Sequence, residues 1–381
     1  MNQLKICTRC VMDAGVPEIT FASDGTCNYC REFLDRTSHQ IFRSSEELAP
    51  GRETFVAAVK AAGKGHRYDC VVGVSGGVDS SWALVKALEA GLRPLAVHMD
   101  NGWNSELAQN NIHVLVQKLG VDLYTHVIDW PEYRELMQAF FDADVVDVEL
   151  LYDNAMLAVN YLQAEAHGIR YILSGVNSST EGMRMPLSWN WFKRDRRNIL
   201  GIARAHGIRG FRTFPSVGTM HYIRHEVIRR IHWVSFLDFF DYNKEEALST
   251  LETQYGYKRY PYKHYESVFT RFYQGHILPR KFGIDKRKLH LSTLVASRQM
   301  TRNEALKALQ SEPYPSPQAL DNDINYFLKK MRWSRAELDG YLQRQRRAHS
   351  EYPSEWPLWK RLHRIHQWLA KSKCQLKGGK R

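Results

Sequence analysis

The chain has 381 residues, 44% of them hydrophobic and 25% charged, the composition of an ordinary globular protein with enough length for a large core and appendages. No stretch approaches the ~20 uninterrupted apolar residues of a membrane helix, and the first 25 residues lack a basic-then-apolar leader, so a cytoplasmic protein is expected. The net charge of +12 invites a nucleic-acid reading, but Gln343–Arg381 holds eleven Lys/Arg against two Asp/Glu, which leaves only +3 for the rest and argues against it.

In chain order, residues 1–45 are turn-rich and cysteine-rich. CTRC (Cys7–Cys10) and CNYC (Cys27–Cys30) are separated by sixteen residues. That C-x2-C-x16-C-x2-C spacing falls in the zinc window, and four thiolates close a tetrahedral shell, so a structural Zn2+ is expected. An iron–sulfur cluster is the alternative, since thiolates alone do not decide the metal. Disulfides do not suit a reducing compartment.

Residues 50–235 alternate short apolar runs with helical patterns. Asp69–Val74 is a β-branched strand and Asp79–Ala90 a helix. RPLAVHMDNGW supplies a second strand ending at Asp100. Asn104–Leu119 is a helix closed by Gly120, VDLYTHVID a third strand, and Glu132–Asp142 a helix. Asn154–His167 is a helix with Gly168 at its end, and IRYILSG a fourth strand. Alternation of this kind predicts an α/β fold, a parallel doubly wound sheet whose strand C-terminal ends line one edge, where ligands bind.

Residues 236–342 read as almost wholly helical and as a substrate-binding region. Residues 343–381 form a basic tail in which Leu358, Leu362, Ile365 and Leu369 recur at helical spacing. This stripe predicts a terminal helix packed on the body, with docking to an acidic partner or an anionic surface as the alternative. Cys70 reads as a small core residue, and Cys374 has no visible partner.

The chemistry concentrates in SGGVDSS, at the junction of first strand and first helix. Gly76 and Gly77 let backbone N–H groups approach an anion, Ser75, Ser80 and Ser81 add hydroxyls, and the helix N-terminus adds partial positive charge. The Walker lysine is missing, and so is G-x-G-x-x-G. SGGVDS resembles the pyrophosphate-loop (PP-loop) motif of the ATP pyrophosphatase superfamily, which includes NAD, GMP and asparagine synthetases and tRNA thiolases. The resemblance implies an adenine nucleotide alpha-hydrolase-like fold that cuts ATP between its α- and β-phosphates. An acceptor oxygen becomes adenylated, and a nitrogen or sulfur nucleophile then displaces AMP. It implies ATP contacts at Gly73, Val74, Ser75, Gly76, Gly77, Val78, Asp79 and Ser80, and at the strand ends His98, Asp100 and Gly175.

SGVNSSTE (Ser174–Glu181) resembles the G-T-x-N-x-S-E motif of NAD synthetases, with a one-residue departure between Asn177 and Glu181. The resemblance implies Asn177 as an ATP contact and Glu181 as a Mg2+ or substrate ligand. Glu181 also suits a helix N-terminal acid. Asp79 and Asp100 are alternative Mg2+ ligands.

Lys263–Leu309, together with CTRCVMD and HMDNGWNS, resembles the N-acetyl sugar amidotransferases of lipopolysaccharide and O-antigen synthesis. This likeness spans residues 4 to 310. It implies that the acetamido oxygen of a nucleotide-linked N-acetyl sugar attacks ATP and that ammonia then replaces AMP, giving an acetamidino sugar. Arg271 and Lys263 are the cationic catalytic candidates beside Asp79 and Glu181. His264, Glu266, His276, Arg280 and Lys281 are substrate-binding candidates, although each type equally suits a solvated helix face. Residue 2 is Asn, so an N-terminal cysteine glutaminase is not expected in this chain. The resemblance implies separate glutaminase and cyclase-like barrel subunits that supply ammonia. The alternatives are a tRNA-modifying thiolase or amidine-forming ligase of the same superfamily, and a non-enzymatic zinc-ribbon adaptor.

Overall fold

The computed structural model describes residues 4–260 and 265–365. Five parallel strands form one sheet in the order β3-β2-β1-β4-β5, with β1 Cys70–Gly73, β2 Pro94–Asp100, β3 Leu123–Val127, β4 Tyr171–Ser174 and β5 His232–Ser235. The helices before and between these strands are α1 Asn28–Ile41, α2 Ser45–Ala62, α3 Val78–Glu89, α4 Glu106–Leu119, α5 Trp130–Asp142, α6 Leu150–Ala166, α7 Ser178–Glu181, α8 Arg196–Ala205 and α9 Thr219–Ile223. The four strands expected from sequence are present. The fifth, β5, is short and half exposed, so no continuous apolar run announces it.

Period-two side-chain alternation explains why the sheet is covered on both sides. Val71, Leu95, Val97 and Ile172 enter a core with α5, α6 and α8, whereas Cys70, Val72, Ala96 and Leu173 enter a second core with α3 and α4. Cys70 is fully buried as expected of a core residue. The chain punctuates its helices as the sequence indicates. Ser105 caps α4 through Ala108 N, Gly120 closes it in the left-handed region at φ 64°, and Gly168 follows α6 at φ 66°.

Beyond the sheet lie α10 Lys244–Tyr255, α11 Val268–Phe272, a π-helix over Tyr273–Phe282, α12 Arg287–Ala296, α13 Arg302–Gln310, α14 Pro317–Met331 and α15 Arg335–Gln343. Residues 266–268 run back to the strand ends. Ser105 N donates to Glu266 O at 2.9 Å and Val268 N to Trp103 O at 2.9 Å. The helical region is thereby hydrogen-bonded to the ligand-facing edge of the sheet.

Residues 356–365 are helical, but the stripe expected to pack is the wrong face. Leu358 and Ile365 are 42% and 49% exposed. Packing falls instead to Trp356 and Trp359, whose rings lie 5.4 and 5.2 Å from Phe192, with Arg194 4.0 Å over the Tyr222 ring beside them. Large aromatic area outweighs aliphatic spacing here. Leu369 and Cys374 lie outside the described residues. Among the described residues no helix is long and apolar enough to cross a membrane.

Candidate functional site

The loop between β1 and α3 is built as the sequence implies. Gly76 has φ 83°, and a β-carbon on it would fall 2.8 Å from Ala108 O, so both torsion and space require glycine. Ser80 Oγ accepts from Ser75 N at 3.2 Å and lies 3.1 Å from Ser75 Oγ, while Gly77 N donates to Ser75 Oγ at 3.3 Å. Gly77 caps α3 without a side chain, which leaves the helix N-terminus open toward an anion. Behind the loop, the Tyr257 and Tyr260 hydroxyls both donate to Gly76 O, at 2.9 and 3.0 Å. They hold the peptide with its carbonyl turned back into the protein.

Asp79, in the first turn of α3, is held by three side chains. Its Oδ1 accepts from Tyr242 Oη at 2.6 Å, Asn177 Nδ2 at 3.3 Å and Thr180 Oγ1 at 3.5 Å. Burial, and then the Asp79 charge, hold the Tyr242 phenol well above its ordinary range, so it stays protonated and donates. The close approach of β4 to α3 depends on Gly175, where a β-carbon would lie 2.6 Å from the Asp79 carbonyl and Ser80 N. Asn177 caps α7 through Thr180 N at 2.8 Å. Ser178 is pinned by Asp238, which accepts from its N at 2.6 Å and its Oγ at 3.0 Å. Glu181 closes α7 on the same side, near enough to Tyr242 to raise its pKa. Asn177 and Glu181 therefore stand with Asp79.

The end of β2 supplies the other wall. His98 is buried, and Nδ1 lies 2.8 Å from Val74 O, an acceptor, so Nδ1 carries the proton. Nε2 then accepts from Asn104 Nδ2 at 2.9 Å. Burial pushes the His98 pKa below its ordinary value, which keeps the ring neutral. Asp100 Oδ1 accepts from Gly102 N at 2.8 Å and from Asn104 Nδ2 at 3.2 Å. Glu266 reaches the loop as well: a β-carbon on Gly77 would sit 3.6 Å from its Oε1.

Other sequence candidates are used for structure. Arg271 is clamped on Asp323 at 2.6 and 2.5 Å, with Tyr314 Oη on the same carboxylate at 2.8 Å, so its charge is already neutralised. His276 is buried against Phe272, and burial together with the nearby Arg280 pushes its pKa down to about 4, which makes it a neutral core group. Lys281 has no exposed side-chain surface. It donates to Tyr341 O at 2.6 Å and Arg344 O at 2.8 Å, and pairs with Asp144 at 2.9 Å. Arg280 is exposed beside His276. Lys263 and His264 lie outside the described residues.

A polar cluster that the sequence did not reveal extends from the α6 N-terminus. Lys193 Nζ bridges Asp147 at 2.7 Å and Asp153 at 2.8 Å, and Lys286 pairs with Glu149 at 2.8 Å. Its neighbour Tyr152 is close enough to Asp100 and Glu266 for both to help raise its pKa, after burial. Hydrogen-bonding groups thus continue from the strand ends toward the helical region.

The four cysteines converge although 16 residues separate the pairs. Cys7 and Cys30 Sγ are 3.7 Å apart and Cys10 and Cys27 Sγ 3.6 Å, all four are buried, and all four ligand atoms lie within 4.8 Å of one another. A tetrahedron with Zn–S of about 2.3 Å has edges of about 3.8 Å. The donor set fits zinc, and Cys10 N and Cys27 N point at Cys7 Sγ from 3.4 and 3.2 Å, as thiolate acceptors require. Among the described residues this is the one group of His, Cys, Asp and Glu close enough to hold a metal. The carboxylates at the strand ends would hold Mg2+ only together with phosphate oxygens, as is usual for that ion.

Residues 266–366 match the family "LPS biosynthesis protein WbpG-like, C-terminal domain". The C-terminal segment is WbpG-like. This segment carries Glu266, which faces the loop, and α14, which borders the strand ends. No curated protein matches the chain. Among solved structures, NMN synthetase from Francisella tularensis is 14% identical, covering 57% of this chain and 89% of its own at a TM-score of 0.31. An NH3-dependent NAD synthetase from Campylobacter jejuni is 16% identical, covering 55% and 85% at a TM-score of 0.28.

Proposed function

We propose that this chain is an ATP-dependent, AMP-forming amidotransferase of lipopolysaccharide biosynthesis that converts the acetamido group of a nucleotide-linked N-acetyl sugar into an acetamidino group. The observation that carries the reading is the phosphate cradle, with Asp79 fixed at its mouth, joined to a WbpG-like segment.

In this reading the Gly76–Gly77 amides, the Ser75 and Ser80 hydroxyls and the α3 N-terminus bind the β- and γ-phosphates. The acetamido oxygen attacks the α-phosphorus, its bond to pyrophosphate breaks, and pyrophosphate leaves with the electron pair. Ammonia adds to the resulting imidate carbon and loses a proton, and AMP departs with the C–O electrons. Mg2+, held by Asp79, Asp100 or Glu181 with the phosphates, would neutralise charge on the leaving pyrophosphate. Tyr242 and Asn177 fix the Asp79 carboxylate. The Lys193–Asp153 cluster would offer polar contacts to a sugar. Zn2+ in the four-cysteine site is structural. Ammonia comes from a separate glutaminase through a barrel subunit, and the protein works in the cytoplasm.

The test is product analysis. Purified protein is incubated with Mg·ATP, ammonium and UDP-linked N-acetyl sugars, with bulk tRNA in a parallel reaction. Phosphorus NMR showing AMP plus pyrophosphate, with a sugar mass shifted by exchange of O for NH, is the expected result. AMP formed only with tRNA would overturn the sugar reading.

A further inference from the structure

A groove of about 460 Å³ opens beside the strand ends, between the start of α5 and the end of α14. Its lining includes Trp130, Tyr326, Arg134, Lys329, Lys330 and Arg332. Four cations converge with two aromatic rings, and no carboxylate lines the groove. Arg134, Lys329 and Arg332 have no ion-pair partner among the described residues, although the protein pairs many of its other cations. Uncompensated positive charge converging on one concavity favours an anion.

Two features show that the groove is built rather than incidental. Lys330 Nζ donates to Gly102 O and sits 4.1 Å from the Trp130 ring and 4.8 Å from the Trp103 ring. A β-carbon on Gly102, itself at φ 78°, would meet Lys330 Nζ at 3.0 Å and Trp130 at 3.3 Å, so the chain keeps glycine where these groups close on it. The second feature is Arg332. It ends α14 in the left-handed region at φ 60°, ψ 40°, where glycine is the usual occupant. An arginine held there against its backbone preference places its side chain at the groove.

The ligand follows from the lining. Several separate cations suit more than one phosphate. Tyr326 is 40% exposed, with Lys330 Nζ 5.5 Å over its ring, so a flat ring and a cation would meet the same aromatic surface. Gly102 lies two residues beyond Asp100, so whatever is attached to the ligand can reach the strand ends. We propose that this groove binds a nucleoside diphosphate, with the diphosphate between Arg134, Lys329 and Arg332 and the base against Tyr326. As the carrier end of the acceptor, this assignment rests on the amidotransferase reading above; as a binding site, it is tested without catalysis.

Full-length protein is titrated with UDP, UMP, uridine and inorganic pyrophosphate by calorimetry, without ATP; a pyrimidine probe avoids the adenine-nucleotide site. UDP is expected to bind at least tenfold more tightly than uridine or pyrophosphate. R332G relieves the backbone while removing the charge, so loss of fold cannot explain its effect. R332G and R134A are each expected to weaken UDP threefold or more with unchanged melting temperature, and Y326A to weaken UDP but not pyrophosphate. The control R335A, whose partner is Asp339, is expected to bind UDP normally. No UDP binding, unchanged affinity in both arginine variants, or equal affinity for pyrophosphate and UDP overturns the proposal. UDP binding that persists in a protein forming no AMP under any condition sustains the groove and counts against the catalytic reading alone.

Discussion

The Tyr242 hydroxyl donates to Asp79 Oδ1 at 2.6 Å across 163 residues of sequence. Asp79 takes all its described bonds on that one oxygen, so Oδ2 is aimed rather than merely present. A hydrogen bond to a charged group contributes about 1.5–3 kcal/mol. Y242F is expected to lower AMP formation roughly tenfold or more, with ATP binding little changed. Asp79→Asn is expected to abolish it while the melting temperature holds. Full activity in D79N would remove Asp79 from the reaction.

Gly175 makes a sharper test of geometry. A methyl there meets backbone, which cannot swing aside as a side chain can. G175A is expected to destabilise by about 1–3 kcal/mol, the range for overpacking a tight contact, and to weaken ATP binding in calorimetry. A variant with wild-type stability and ATP affinity would show that β4 and α3 are not in contact there.

The four-cysteine centre is coupled to the site through α1. Cys27 caps α1. Further along that helix, Phe33 packs at Gly182, and Arg36 donates to Gly182 O, directly after α7. Arg184 pairs with Glu32 at 3.1 Å. Metal analysis is expected to find one zinc per chain. Chelation or C27S is expected to raise hydrogen exchange over residues 177–184 together with the ribbon. Exchange changes confined to the ribbon would break this link.

Lys281 separates a structural role from a binding role. Removing it leaves Asp144 with Arg344 at 3.0 Å as its remaining cation and takes the donor from the Tyr341 and Arg344 carbonyls, which costs about 1–3 kcal/mol. Thermal unfolding of K281M should show that loss, while KM for the sugar at a permissive temperature stays unchanged. A stable K281M with raised KM would restore Lys281 to the substrate.

Two buried histidines set an acid limit. His349 donates from Nδ1 to Asn198 at 2.8 Å and accepts from Asp147 N at 3.2 Å, so it fits only as the neutral ring. Burial pushes both His349 and His276 down to about 4. Unfolded histidine titrates near 6.5, so between about 6.5 and 4 the unfolded chain binds more protons. Stability is fully present above pH ~6.5 and falls as pH drops through that window, by up to ~1.4 kcal/mol per unit for each ring. Denaturant titrations from pH 7.5 to 4.5 should show it, with a shallower slope in H349Q. A flat profile would mean that the rings are accessible to protons in the fold.

The sheet and the loop were legible because local rules decide them: β-branched runs, Gly120 and Gly168 after helices, and SGGVDSS where strand meets helix. The motif drew attention to Asn177 and Glu181, and the structure sets Asn177 against Asp79 and Glu181 near Tyr242. Tyr242 and Asp238 were not legible, because a tyrosine or a buried aspartate carries no local sign of the distant carboxylate or amide it serves. Arg271, His276 and Lys281 looked functional because their side chains suit phosphate chemistry. Their partners Asp323, Phe272 and Asp144 lie 52, 4 and 137 residues away, and only packing reveals that these groups are already satisfied. The terminal stripe misled because spacing alone cannot weigh two tryptophans against three aliphatic residues.

Arg302 donates to the carbonyls of Cys7 and Cys10, at 2.9 and 3.1 Å. Lys288 pairs with Asp13, and Val11 N donates to Ser292 Oγ at 3.2 Å. The ribbon's docking surface therefore lies some 290 residues further along the chain than the ribbon itself. During synthesis the cysteine ribbon must wait, undocked, for some 290 residues to follow. Nascent chains arrested before α12 would present loose thiols to the cell, and completion of α13 is the event that locks the ribbon onto the helical region.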